Sequence, residues 1–201
     1  MEVSKIHLSS SELELMQNAA IILTKNKILE KMKQLLEEVQ EKQVSLVKQL
    51  SLTNEIFKVS PKISKGENYL GLPYLILDYP RQSSQNDFFF IRTMFWWGNF
   101  FSCTLHLAGN TKIVFGKKME QSYEELQNFF IGTNDDQWHH HLEEANYKKI
   151  SSLTKPEFEH YCKRFNHLKI AGNLALSEWT AAPSNLFDYW KLFLEICGLI
   201  S

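Results

Sequence analysis

The segment 135–144 has the highest concentration of metal-ligating residue types in the chain. It reads Asp-Asp-Gln-Trp-His-His-His-Leu-Glu-Glu and holds three of the seven histidines beside four carboxylates. On a strand, His139 and His141 project to the same side and could bind a divalent metal together with Glu143 or another histidine. On a helix, three consecutive residues fan out by about 100° each and do not converge.

Two further patterns weigh against a metal site. The helical zinc motif His-Glu-x-x-His does not occur, and none of the three cysteines belongs to a Cys-x-x-Cys pair. The alternative is a polar segment in which one imidazole hydrogen-bonds inward while the others are solvated. A divalent metal is therefore predicted only for the alternative function, and no other cofactor is predicted.

Arg92 is a second candidate, because it interrupts a strongly apolar stretch. A guanidinium removed from water requires a carboxylate, a group of carbonyls or an anionic ligand. The sequence leaves three interpretations open: a small anionic ligand, an internal ion pair with Asp78 or Glu178, or a position near the sheet edge where the charged head reaches water.

The residues around Arg92 predict a β-hairpin. Gly98 and Asn99 suit a two-residue turn, because both tolerate the positive φ angles that such a turn needs. This turn pairs Trp97 with Phe100 and places Arg92 on the more apolar face.

The same pairing places Trp97, Thr104 and His106 together on the opposite face, which carries hydroxyls and an imidazole among aromatic rings. With Arg92, these residues are the predicted ligand-binding set. The assignment depends on the turn, because a slip of one residue exchanges the faces.

The elements that position these residues divide into a helical front and a mixed remainder. A capping box over 9–12 predicts a helix from about Ser10, with an apolar stripe that continues to Leu50. The polar stretch 24–27 either bends this helix or is a solvated part of it. The stripe fits a long helix folded onto its own domain or, less well because Gln43 interrupts it, a coiled coil. The polar stretch 60–68 predicts a linker.

After the linker, aromatic and aliphatic residues over 69–107 predict strands. Capping boxes predict helices near 119–131 and 155–165, alternation predicts a strand over 168–176 with a bulge at Gly172, and a last helix opens at Pro183. The sequence therefore predicts an α+β fold. Its mainly antiparallel sheet has an aromatic-rich central hairpin and packs against C-terminal helices and the long N-terminal helix. Residues 1–59 form the helical segment and 60–201 the α+β domain, together one structural unit.

Composition limits the function classes. The 201 residues carry 22 Lys and Arg against 23 Asp and Glu, which gives a formal net charge of −1 and no basic stripe for nucleic acid. The apolar runs fall short of the roughly 18 residues of a membrane span. The first eight residues lack the basic start and apolar run of an export signal. The three cysteines are an odd number, form no Cys-x-x-Cys pair and lie in apolar settings, which favours the reducing cytoplasm.

These patterns predict a binding or protein-interaction module that is not an enzyme, with a protein partner or self-association through the N-terminal helix. The alternative is a metal-dependent hydrolase or metal-binding protein that uses the segment from His139 to His141. The sequence does not decide between an enzyme and a binding protein.

Overall fold

The computed structural model describes residues 5–200; the first half of the N-terminal stretch considered for an export signal, residues 1–4, lies outside it. Within this range the chain forms five α-helices and one antiparallel sheet of seven strands, in the order β1-β2-β3-β4-β7-β5-β6. The α+β prediction is confirmed. The helices are α1 Ser10–Gln17, α2 Ala19–Gln49, α3 Asn110–Gln121, α4 Lys155–Arg164 and α5 Ala182–Cys197. The strands are β1 Lys62–Tyr69, β2 Leu72–Ser84, β3 Asp87–Trp96, β4 Phe100–Ala108, β5 Phe130–Gly132, β6 Tyr147–Lys149 and β7 His167–Ala175.

The front of the chain is two helices rather than one bent helix. Ser9 and Glu12 close the predicted capping box at the start of α1, and Asn18 both ends α1 and caps α2. Of the two alternatives for 24–27, the structure contains the unbent one, because this stretch is regular helix within α2.

The middle of α2 folds onto its own domain, as one of the two alternatives predicted. Met32, Leu36 and Val39 belong to the same apolar core as the sheet and α5. Gln43 is fully buried on this stripe, and its amide nitrogen and oxygen have no hydrogen-bond partner among residues 5–200. None of the helices in this range contains a segment with the length and hydropathy to cross a bilayer.

The apolar face of the sheet carries the main core. It comprises alternate residues of four central strands, packed against α2, α3 and α5: Leu75, Leu77, Phe89, Ile91, Phe95, Phe101, Cys103, Leu105, Leu107, Leu168, Ile170 and Leu174. Gly172 lies in an unbroken register with β4, so the predicted bulge is wrong. A Cβ at Gly172 would lie 2.8 Å from the rings of Phe129 and Tyr189, which shows that glycine is required here by close packing.

The hairpin between β3 and β4 exists, but its predicted register is wrong. Trp96 pairs with Phe100, and the turn has three residues, with Gly98 at φ +73°. The Asn99 amide donates to the Trp96 carbonyl at 3.1 Å, which closes the turn. This shift of one residue moves Arg92 off the apolar core face and places it directly opposite Thr104.

Two other predicted elements differ from the structure. The stretch 60–68 contains most of edge strand β1 rather than a linker, since its backbone pairs with β2. The helix expected near 119–131 is a series of turns, because α3 ends at Gln121 and the Ser122 hydroxyl donates to the Lys118 carbonyl instead of starting a helix. Helices α4 and α5 and strand β7 begin within two residues of their predicted positions.

Candidate functional site

The second face of the sheet holds a polar cluster covered by the loop of residues 133–146, which we call the cover loop. Arg92, Thr104 and His106 project from β3 and β4 into this cluster, where Arg92 is opposite Thr104 and Phe90 is opposite His106. Three of the four predicted ligand-binding residues therefore lie together. The fourth, Trp97, lies in the hairpin turn and lines a different groove.

Asp78 supplies the counter-charge for Arg92. The two residues are paired across β2 and β3, and the guanidinium donates to both carboxylate oxygens, from Nε to Oδ1 at 2.7 Å and from Nη2 to Oδ2 at 2.9 Å. Such a bidentate geometry is strong and directional. Of the internal pairs considered, the structure contains the one with Asp78. A ligand role for Arg92 stays a prediction.

His140 of the cover loop makes a third contact to Arg92. Its Nε2 lies 3.1 Å from Nη1 of Arg92, and since arginine can only donate, this nitrogen accepts and the imidazole is neutral. Burial, followed by the positive charges of Lys169 and Arg92, holds the pKa of His140 well below its usual value. Geometry and electrostatics thus agree on the neutral form.

His106 is 4% exposed and is enclosed by the rings of Phe88, Phe90 and Trp138. Its Nε2 donates to Oε1 of Gln137 at 3.0 Å. Burial, with a smaller effect from the charge of Lys169, lowers the pKa of His106 to about 3. The imidazole is therefore neutral at physiological pH and anchors the cover loop through Gln137.

Lys169 completes the cluster and was missed by the sequence. It lies on β7 directly opposite His106, is 2% exposed, and donates to the main-chain carbonyls of Gln137, at 3.0 Å, and His139. Burial and the charge of Arg92 lower the pKa of Lys169 to about 7. The alternation of β7 placed Lys169 on the water-facing side, and that side is buried here only because the cover loop lies over it.

A lysine with this pKa can act as a base or a nucleophile when a reactant reaches it. The space bounded by Lys169, His139, Asn146 and Tyr147, however, has no room for a water molecule. In this arrangement the ammonium holds the cover loop onto the sheet.

The predicted metal-binding residues lie in the cover loop, where hydrogen bonds engage their ring nitrogens. Nδ1 of His141 lies 2.8 Å from the Tyr69 hydroxyl, and its Nε2 lies 2.5 Å from Nδ2 of Asn146. Nδ1 of His139 lies 3.1 Å from Oδ1 of the same asparagine. The carboxylate of Glu143 is exposed and 3.9 Å from Nε2 of His141.

Over residues 5–200, no three His, Cys, Asp or Glu side chains meet in an arrangement suited to a metal ion. The metal site stays a prediction. Tyr69 and Asn146 position the histidine segment, and the sequence contains no indication of either role. The contacts of Tyr69 join residues about 70 positions apart in the sequence, and those of Asn146 depend on how the cover loop folds.

The open spaces outside the cluster include a cavity and a groove. A cavity of about 900 Å³ lies between α3 and the end of α4, and Gln137 and His167 form the part of its wall nearest the cluster. A groove of about 570 Å³ lies between the start of α2 and the sheet, where Trp97 and Pro73 form one wall.

The fold and the cluster define an α+β protein whose antiparallel sheet is covered by helices on one face and by a polar loop on the other. No family model, curated protein or solved structure matches the chain. Arguments about function therefore rest on the residues themselves.

Proposed function

We propose that this protein is an interaction module that associates with a second copy of itself through its N-terminal arm, residues 8–28. One observation carries the proposal. Fourteen large apolar side chains are exposed over residues 5–200, and half of them fall within sixteen residues of this arm: Leu8, Leu13, Leu15, Met16, Ile21, Ile22 and Leu23. Isolated exposed apolar residues are normal on a monomer, whereas a concentration of them marks an interaction surface.

The arm is a formed element with its apolar side chains facing solvent. Its first helix has a closed capping box at Ser9 and Glu12, yet no residue of α1 is buried. The buried stripe of α2 begins only at Met32. The helical part of the chain therefore begins at Ser10, more than twenty residues before Met32, the first buried helical residue.

The groove of about 570 Å³ provides a complementary shape. Ile21 and Ile28 form its helical wall, and Leu72, Pro73 and Trp97 form the wall on the sheet. Adjacent apolar side chains from another helix, such as Leu15 and Met16 of a second copy, have the chemistry to fill it. Trp97 thus enters the proposal as a contact for a protein partner rather than for a small ligand.

The charges of the arm favour a second copy over an unrelated partner. The sequence of α1 contains two carboxylates, Glu12 and Glu14, and no Lys or Arg. Residues 19–28 contain no Asp or Glu and two lysines, of which Lys25 is paired with Glu67 at 2.7 Å and Lys27 remains for a second copy. When two arms pack against each other, α1 of one copy opposite the start of α2 of the other, unlike charges come together at both ends. Complementary charges of this kind select the partner and the orientation.

Sedimentation equilibrium of the full chain tests the proposal. At concentrations chosen to bracket a micromolar Kd, from about 5 to about 500 µM, we expect the mass of the native sequence to rise toward twice the monomer mass. The variant Leu15→Gln/Ile22→Gln should stay monomeric. The matched control Ile113→Gln/Val114→Gln removes two exposed apolar side chains from α3 and should associate as the native chain does.

A constant monomer mass of the native chain, or equal association of the arm variant, would show the proposal to be wrong. Association that is lost equally in both variants would assign it to general surface hydrophobicity and would also contradict a role specific to the arm.

The alternative proposal is a metal-dependent hydrolase or metal-binding protein that uses His139, His141 and Glu143. Two imidazoles whose ring centroids are 5.2 Å apart are the observation in its favour. Metal analysis of protein purified without a tag tests it. Stoichiometric metal that disappears in His139→Ala/His141→Ala would support this alternative against the interaction module.

For the compartment we propose the cytoplasm. Cys103, Cys162 and Cys197 are free and buried thiols, and burial raises the pKa of each to about 12. Thiols of this kind behave as small apolar core residues and suit a reducing environment. Fractionation of cells followed by detection of the native chain checks the assignment.

A further inference from the structure

The cavity of about 900 Å³ between α3 and α4 adjoins the polar cluster at Gln137 and Phe88 and lies apart from the N-terminal arm. Helix α3 forms one wall, the end of α4 and the following turn form the other, and Phe88 and Ala108 line it from the sheet. Its volume falls within the range of small-molecule sites in proteins, roughly 300–1,000 Å³.

The lining is positively charged although the chain as a whole is not. Three lysines line the cavity, and Glu120 is the only carboxylate among its lining residues. Lys163 is paired with Glu120 at 2.5 Å, and Lys112 donates to the main-chain carbonyls of Phe165 and Lys163 at the end of α4. Lys117 forms no hydrogen bond or ion pair with any residue of the described range 5–200, so its ammonium is available to an anion.

Aromatic rings supply the apolar part of the wall. Phe165 is stacked on His167, with ring centroids 5.3 Å apart and an interplanar angle of 7°, and the guanidinium carbon of Arg164 lies 4.9 Å from the centroid of the same ring. The ring of Phe88 lines the cavity from the sheet and is itself held against Phe90. Aromatic rings engaged in this way favour a flat ring in the ligand through edge-to-face contact.

Gly116 is the observation that points to an occupied cavity. It lies in the interior of α3, where glycine is less stable than alanine, and it lines the cavity. A Cβ at this position would meet only Cγ of Lys112, at an ordinary distance of 3.5 Å. Its φ lies outside the left-handed region, so neither packing nor backbone geometry requires glycine here. The absence of a side chain keeps the space above α3 open.

We propose that this cavity binds an organic anion that carries an aromatic ring. The ring lies between Phe88 and Phe165, above Gly116, and the carboxylate, sulfonate or phosphate group faces Lys117. The site takes a small molecule and does not depend on self-association of the arm.

Two fluorescent probes that differ in one group test this site. 8-Anilinonaphthalene-1-sulfonate carries the anion, and N-phenyl-1-naphthylamine is its neutral counterpart. All titrations use the full-length variant Leu15→Gln/Ile22→Gln, so that the apolar arm does not offer a second site for the dyes. We expect one sulfonate dye per chain with a Kd of roughly 10–100 µM, and at least tenfold weaker binding of the neutral dye.

Three substitutions assign the binding to the cavity. Gly116→Leu fills the space and should weaken binding of the sulfonate dye at least tenfold. Lys117→Glu should weaken it severalfold while leaving the neutral dye unchanged. Gly116→Ala adds one methyl group where there is room for it. This variant should have a higher melting temperature and should bind the sulfonate dye more weakly. It therefore tests the site even when Gly116→Leu does not fold.

The inference is overturned by three results. These are no saturable dye binding, binding that persists unchanged in both Gly116 variants, or equal affinity for the charged and the neutral dye. The last result would leave an apolar pocket without the proposed selection of an anion.

Discussion

Acidification should destabilise the fold through His106. The folded-state pKa of this imidazole is about 3, against 6.5 in an accessible chain, so the unfolded state binds the proton and the folded state excludes it. The stability is fully present above about pH 6.5 and is lost as the pH falls from there toward 3. Between pH 7 and pH 5, one such group removes about 2 kcal/mol from the free energy of unfolding, and about 4 kcal/mol by pH 3.

The test compares urea unfolding of the native chain and His106→Gln at pH 7 and pH 5, followed by circular dichroism. The other charged and titratable groups that face His106 are Lys169, His167, Arg92 and His140, and all remain in the variant. The difference between the two chains therefore isolates His106. We expect the variant to lose about 2 kcal/mol less than the native chain over this pH interval.

His160→Gln provides the matched control, because this histidine is exposed on α4 and its imidazole meets water in the folded and unfolded chain alike. It should follow the native pH dependence. If His106→Gln loses as much stability between pH 7 and pH 5 as the native chain does, His106 is not the buried neutral group described above, and the reasoning fails.

Three further changes test the packing. Gln43→Leu should raise the free energy of unfolding by about 1–3 kcal/mol in urea titrations, because it removes a buried amide with no partner in the described chain, whereas Gln34→Leu on the exposed side of α2 should change it by less than about 0.5 kcal/mol. Arg92→Met should destabilise the fold by about 1–3 kcal/mol, because it leaves the half-buried carboxylate of Asp78 unpaired, and Arg92→Met/Asp78→Leu should recover much of this loss. Equal stability of the single and double variants would contradict the pairing. Gly172→Ala should lower the melting temperature by several degrees, since its methyl group overlaps two aromatic rings beneath the sheet, and an unchanged temperature would show that the rings move freely.

The sequence predicts the fold class well because its strongest signals are local. Aromatic and β-branched residues over 69–107 favour strands, and the capping box at Thr154 and Glu157 starts α4 where expected. Strand β1 escapes prediction because it is polar. It lies at the edge of the sheet, where one face and one set of backbone groups meet solvent, so no apolar alternation is needed.

The site depends on contacts that no local pattern encodes. One additional residue in the turn around Gly98 exchanges the faces of β4 relative to β3, and this alone moves Arg92 from a core position to a position opposite Thr104. The burial of Lys169 is decided by the cover loop, whose carbonyls at Gln137 and His139 replace water around the ammonium. Both outcomes follow from tertiary structure, where a small geometric change alters the environment of a charge.

The distribution of satisfied and unused groups differs between the polar cluster and the two proposed binding surfaces. In the polar cluster, Arg92, His106 and Lys169 each have hydrogen-bond partners within the chain, and the cover loop closes over Lys169. These interactions are used in holding the loop to the sheet, so a ligand there would first have to displace the loop. The exposed apolar side chains of the N-terminal arm and the ammonium of Lys117 have no equivalent partners among residues 5–200. Ile21 of the arm lines the groove, and Lys117 lines the cavity. Recognition is therefore expected at these two surfaces, while the residues with the most perturbed pKa values maintain the structure between them.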